Sequence, residues 1–451
     1  MIKKIKIYIT LAAVAFSSVS CLDKYPEDAI PEGDAIRTVE EANQAVIGIY
    51  AYMKNPNLYS GLLTLLPDLQ ADLAYAVEGY TNTYGNIWRW DILPTNTEVE
   101  AVYGTLNALI GKCNFLLERI AILEQEVDDE DYEKLQQFKG EALFARALAY
   151  SDLIKMYCKA YDPATAANEL GVVLVSSYSN TGTLKRASLK DSYQFVLDDL
   201  AQSATCLEPD ENENDESYYD TPYFTIYAVN ALYARVYLNM QEWDKAIEYA
   251  SKVIDSRKFK LSSTTEMIDS ETSYYQYMWQ YDHSTETIWK VGFTTTSYGG
   301  SLGQIFFNYD FNSFKPDYVP AEWVLNLYAD TDLRATTFFQ SYRTGYEHGL
   351  QWPLLAKYFG NQEFYEQNIL HVTMPKVFRL SEQYLIRAEA YCQKSNPEYG
   401  KGASDLTTLR QARYSNYGSA SLTEENWFKE ISEERVRELY MEGFRLNDLK
   451  R

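Results

Sequence analysis

Apolar residues recur at three- and four-residue spacing along most of this chain, a period that predicts helices. Thr38 stands as an N-cap with Glu41 three residues on, a capping box, ahead of Ala45, Val46, Ile49 and Tyr50, and the helix runs to about Met53. Val102, Leu106, Leu109, Ile110, Cys113, Leu116 and Leu117 set a second helix over Val99 to Leu123. Leu135, Phe138, Ala142, Ala145 and Ala149 set a third over Tyr132 to Tyr157. Its small residues let a neighbouring helix approach closely. The acidic run from Glu124 to Glu133 between them reads as a solvated junction.

The next pair is more specific. Thr225 to Asn239 and Asp244 to Ser256 predict a helical hairpin carrying Ala234, Tyr237, Trp243, Ala246, Ala250 and Val253. These are tetratricopeptide positions: small residues let antiparallel helices nest and aromatics fill the groove between them. A second copy stands at Ala388, Tyr391 and Ala403, and weaker ones at Ala145 with Leu148 and over Leu189 to Thr205. Irregularly spaced helix pairs fit a repeat array, in which each pair buries its face on the next. Two stretches break the period. Residues 56–98 are irregular and aromatic. Residues 260–375 hold one alternating run, Thr287 to Phe293, among many tyrosines and a Gly-rich turn. The expected fold is therefore mainly α: a tetratricopeptide-like helical-repeat scaffold with a loop-rich insertion, at about 260–375, containing a little β structure.

The N-terminus has its own grammar. Lys3, Lys4 and Lys6 precede a ten-residue apolar run, Ile7 to Phe16, then Ser17, Ser18, Ser20 and Cys21. That run is too short to span a bilayer and suits a secretory signal peptide. Residues 1–20 are expected to be removed and Cys21 lipidated, with 21–35 as a polar tether holding the protein to a membrane without spanning it. The alternatives are an ordinary cysteine past an ordinary cleavage site and an uncleaved helix.

Composition narrows the partners. The formal charge is −23, and loss of residues 1–20 removes three lysines and no acid. Such a surface repels phosphate and argues against nucleic acid. Tyrosine is abundant, 40 against 19 Phe and 8 Trp; its apolar face and polar tip suit half-wet surfaces, sugar-binding ones included. Cys113, Cys158, Cys206 and Cys392 are widely spaced and read as free thiols. His283, His348 and His371 make no metal-ligand spacing, so neither metal nor cofactor is expected. Asp210, Asn212 and Asn214 begin like a calcium loop, but Asp215 and Thr221 replace its required Gly and Glu. Gly299 to Gly303 matches a G-x-S-x-G elbow, yet no helical period follows it, and no enzyme is expected.

Several segments resemble the SusD/RagB family of nutrient-binding lipoproteins. They are Cys21-Leu22-Asp23 through Pro26; Pro320-Ala321-Glu322 with Leu327-Tyr328 and Asp330 to Arg334; Arg379 to Ala390; and Glu434-Arg435, Glu438-Leu439, Glu442-Gly443, Arg445 and Asp448 to Arg451. The resemblance implies a single SusD-like α domain over 36–451. It also implies an outer-membrane protein, lipid-anchored and facing the cell exterior, that captures a glycan and delivers it to a SusC-like TonB-dependent transporter. Oligopeptide capture, or a tetratricopeptide scaffold binding only protein, are the alternatives. Members usually continue past the final motif, whereas this chain stops at Arg451, a fragment or a short member.

Two aromatic clusters compete for the ligand. Tyr80, Tyr84, Trp88 and Trp90 lie with Asn86 and Arg89, which can bond sugar hydroxyls; Tyr274 to Tyr298, with Trp279 and Tyr281, lie in the insertion. Trp88 and Trp279 are the leading candidates, since neither falls in a clear helix or strand pattern. Trp243 and Trp289 are assigned to structure. The charges Glu434, Arg435, Glu438, Glu442 and Arg445 read as ion pairs along a helix.

Overall fold

The computed structural model describes residues 35–78, 82–178, 183–208, 218–309, 311–346 and 351–451. The signal segment, Cys21, Tyr80, the calcium-like Asp210, Asn212 and Asn214, and His348 lie outside the described residues.

The chain is mainly helical. Helix α1 spans Val39–Met53, and its capping box forms: the Thr38 hydroxyl accepts from Glu41 N while the Glu41 carboxylate accepts from Thr38 N. Helix α2 is Leu62–Leu69 and α3 is Gly85–Trp88, so the 56–98 stretch is more ordered than its pattern predicts. Helices α4 (Thr97–Leu123) and α5 (Asp129–Tyr157) follow. Helix α5 starts earlier than its apolar period, inside the acidic run. Asp128 caps it by accepting from Asp131 N, and Asp129, Glu130 and Asp131 sit in the first turn, where the helix dipole favours negative charge.

Helices α6 (Leu189–Cys206), α7 (Ile226–Asn239) and α8 (Trp243–Ile254) complete the first array. Ala234, Ala246 and Ala250 are fully buried in one cluster with Ile386 and Ala390, and Tyr237 and Trp243 pack at its edge. Nested alanines thus bring the second repeat copy, α14 and α15 below, onto the first.

Between them the insertion holds short helices: α9 (Tyr274–Gln280), α10 (Gln304–Phe307), α11 (Glu322–Leu325), α12 (Arg334–Phe338) and α13 (Gln362–Glu366). The repeat resumes with α14 (Leu380–Gln393) and α15 (Tyr399–Gln411), then α16 (Trp427–Leu439) and α17 (Arg445–Lys450).

Among the described residues, eight short strands form antiparallel pairs. They are β1 (Ala74–Ala76), β2 (Leu170–Val173), β3 (Arg186–Ser188), β4 (Thr287–Lys290), β5 (Tyr318–Pro320), β6 (Phe339–Ser341), β7 (Pro353–Leu355) and β8 (Lys376–Arg379). The expected strand at Thr287 is shorter than its alternation, ending at Lys290. Its partner β8 pairs Thr287 with Arg379 and Lys290 with Lys376, which ties the two ends of the insertion together.

The insertion is more than loops on a frame. Tyr275, Trp279, Phe306, Phe307, Tyr318, Phe338 and Tyr358 form a buried core with Leu65, Leu69 and Leu73 from the α2 region and Tyr440 and Met441 after α16. Trp289 is buried in the main core and donates its indole N–H to Pro222 O at 2.9 Å. The Gly299 to Gly303 turn is followed by the single turn α10, contrary to expectation, but its glycines serve close packing: a Cβ on Gly303 would lie 1.8 Å from Tyr358 O. The four thiols are unpaired.

Candidate functional site: a tryptophan rim

The first aromatic cluster is built around β1. Helix α3 follows Tyr84, which adopts the left-handed conformation (φ 59°), and Trp90 does so as well (φ 61°). Two left-handed residues fold residues 84–90 into a tight knuckle against the strand. Trp88 donates its indole N–H to Ala74 O at 3.0 Å, and Trp90 donates to Gln70 O at 2.6 Å. From 251 positions away, Trp323 donates to Asp72 O at 2.7 Å. Three indoles therefore use the carbonyls of residues 70, 72 and 74, which lead from the end of α2 through a turn into β1. A fourth, Trp352, donates to Pro320 O at 2.8 Å, and Pro320 pairs with Ala74 across the sheet.

Each ring is oriented by its N–H and keeps part of its surface in solvent. Trp90 is 62% exposed; Trp88, Trp323 and Trp352 are half-buried; Tyr75 on β1 is exposed. An aromatic held by a backbone bond loses little side-chain freedom when a ligand stacks on it. Arg445 braces this edge, pairing with Asp72 at 2.8 Å and lying 5.4 Å from the Trp323 ring. Tyr318 donates to Thr83 O, and the Asn82 amide donates to Asp317 O, fastening the knuckle to β5.

Of the residues expected here, Trp88, Tyr84, Asn86 and Arg89 do come together. Asn86 is exposed, and its Oδ1 accepts from Arg89 Nη2 at 2.8 Å. Trp323, Trp352 and Tyr75 were missed. Trp323 stands one residue past the Pro320-Ala321-Glu322 motif, the one local hint. Nothing in the sequence joins it to Asp72.

The second cluster differs from its expectation. Trp279 lies in α9 and is only 4% exposed, so its ring is not part of an open aromatic surface like the rim. The Lys357 and Lys376 ammoniums lie 4.1 and 4.8 Å from its ring centroid and the Arg379 guanidinium 5.4 Å. These cations over the indole face explain its burial: the ring replaces part of their lost hydration. Burial pushes Lys357 down to about 8, against the pull of Glu442 beside it. Tyr281 is half-buried and stacks on Tyr277 at 4.8 Å. Among the described residues no ring contact joins the two clusters.

The charges of α16 are structural, as expected, but most of their partners are not on the helix. Glu434 binds Arg334, Arg410 and Arg437; Glu438 binds Arg334, Arg379 and Arg413; Glu442 binds Lys357 and Arg379. Of these contacts Glu434 with Arg437 is the helical neighbour pair, and Glu433 adds looser ones with Arg437 and Lys429 along the same helix. Among the described residues no group of His, Cys, Asp and Glu is arranged to hold a metal, and no helix is long and apolar enough to cross a membrane.

Two family models match, covering well over half of the chain between them: "Starch-binding associating with outer membrane" over residues 22–238 and "SusD family" over 340–451. The chain belongs to the SusD family, and its tetratricopeptide-like architecture is that of the SusD superfamily. A SusD superfamily protein from Bacteroides thetaiotaomicron superposes with TM-score 0.76 at 22% identity, over 91% of this chain and 88% of the other. A putative sugar binding protein from Bacteroides vulgatus gives 0.73 at 25% identity, over 92% and 86%. Surface glycan-binding protein A from Bacteroides uniformis gives 0.70 at 18%, over 91% and 88%. SusD-like protein P2 of Formosa agariphila is 23% identical over 257 residues, 56% of this chain; the match spans 46% of that relative's length.

Proposed function

We propose that this protein is a cell-surface lipoprotein that captures an oligosaccharide and passes it to a TonB-dependent transporter of the SusC type, without catalysis. The tryptophan rim on β1 carries the reading. A sugar ring has a C–H face for stacking and hydroxyls for hydrogen bonds, and the rim sets oriented indoles beside an exposed amide and a guanidinium, Asn86 and Arg89. Solved relatives named for sugar and glycan binding support carbohydrate over peptide. Lipid on Cys21 keeps the catch at the outer membrane, where a transporter can receive it.

A glycan-binding panel on the lipid-free protein, repeated with Trp88→Ala and Trp90→Ala, tests this. Binding of at least one glycan, weakened in both variants, is the expected result. Binding untouched by both moves the site away from the rim. No glycan bound, together with tight co-purification of a transporter, replaces the reading with a protein scaffold.

A further inference from the structure

Trp279 is buried, but it separates two different cavities. The one lined by Trp279 and Lys376 also takes in Asp152, Lys155, Arg235 and Glu442, and is thoroughly charged. The other lies between α9, α12 and residues 356–362, with a volume of about 200 Å³, and no Asp, Glu, Lys, Arg or His lines it. Its walls are the amides of Gln276, Gln280, Gln340 and Gln362, the hydroxyls of Thr336 and Thr337, and the rings of Trp279, Tyr342 and Phe359.

Two of these amides are fixed by the protein itself. Gln276 Oε1 accepts from Ser273 N and Gln340 Oε1 accepts from the Tyr342 hydroxyl, which holds those two amides in place. The Trp279 indole N–H is buried and has no acceptor among the described residues.

These walls select by chemistry. A charged ligand would lose its hydration here and meet no counter-charge. A purely apolar one would leave the amides unpaired. A hydroxylated ring satisfies amides and hydroxyls at its rim and aromatic rings at its C–H face. The volume is below the roughly 300–1,000 Å³ usual for drug-sized ligands, so one ring fits and a chain does not. We propose that this cavity is a binding site, separate from the tryptophan rim, for a single neutral sugar ring. It stands whether or not the rim binds glycan.

The test uses the full mature chain with 15N-labelled tryptophan. The Trp279 indole resonance is assigned by its loss in Trp279→Phe, with fold checked by circular dichroism. D-glucose, D-galactose, D-mannose, D-xylose and L-arabinose are titrated, with D-glucuronate as the charged control. At least one neutral sugar should shift the Trp279 resonance saturably. Gln280→Leu and Gln362→Leu, both at half-buried positions, should each weaken that binding about five- to tenfold, while Trp90→Ala leaves it unchanged. No shift with any neutral sugar overturns the proposal. So does a shift that survives both glutamine variants, or glucuronate binding as tightly as its neutral counterpart.

Discussion

Arg334 Nη1 donates to Glu434 Oε1 at 2.7 Å, with both side chains wholly shielded from solvent. The pair joins α12 of the insertion to α16 near the end of the chain. Burial alone would raise the Glu434 carboxyl, but Arg334, Arg437 and Arg410 outweigh it and hold the group well below the usual carboxylate range. Breaking a buried pair by removing one partner strands a charge. Arg334→Ala should therefore cost roughly 3–5 kcal/mol, read from the urea midpoint. Arg437→Ala, whose partner Glu434 keeps two other arginines, should cost clearly less. Equal losses would mean that the network does not depend on Arg334.

Asp68 gives the opposite sign of pH dependence. Its side chain is fully buried in α2 and accepts from the backbone N–H groups of Gly443 and Arg445. Burial pushes it from 3.8 to about 7, despite those two donors. The folded state then holds a proton that the unfolded state releases. Its contribution is fully present below about 3.8 and is lost as pH rises through about 7. Stability should fall between those values by up to about 1.4 kcal/mol per pH unit relative to Asp68→Asn, which does not titrate. Denaturant titrations of both proteins across that range measure the difference directly, and parallel curves would refute it.

Gly303 is a packing position. The Tyr358 carbonyl occupies the space of its missing Cβ, and Tyr358 is itself fixed by its hydroxyl bond to Met441 O at 2.8 Å. The obstacle is backbone, so it cannot swing away as a flexible side chain would. Gly303→Ala should destabilise by about 1–3 kcal/mol, visible as a lowered Tm, with glycan binding at the rim retained. Gly418, with open space around it, is the control: Gly418→Ala should change Tm little.

The helices were legible because their causes are local. Thr38 with Glu41, and Ala234 with Ala246 and Ala250, act within a few turns of chain, and period and cap chemistry expose them. The α16 charges were misread in their partners, though not in their role. Three- and four-residue spacing is the same whether Glu438 pairs along its own helix or, as it does, with Arg334, Arg379 and Arg413 from other segments. The rim was half legible: Trp88 and Asn86 are close in sequence, but Trp323 arrives only through the pairing of β1 with β5. Trp279 looked free because the cations that bury it lie far along the chain.

That contrast between tryptophans gives the sharpest separation of site from core. Trp90 is 62% exposed and bound to the protein through one indole hydrogen bond, whereas Trp279 is 4% exposed beneath three cations. Trp90→Ala should change stability by less than about 1 kcal/mol and, with the stacking surface gone, weaken oligosaccharide binding about tenfold. Trp279→Ala should do the reverse: a loss of roughly 3–5 kcal/mol in stability from the emptied core and the uncovered ammoniums, with rim binding intact in the fraction still folded. Thermal melts paired with calorimetric titration of the same oligosaccharide read both quantities. If Trp90→Ala melts early, or Trp279→Ala abolishes binding in fully folded protein, the division between a binding rim and a structural core is drawn in the wrong place.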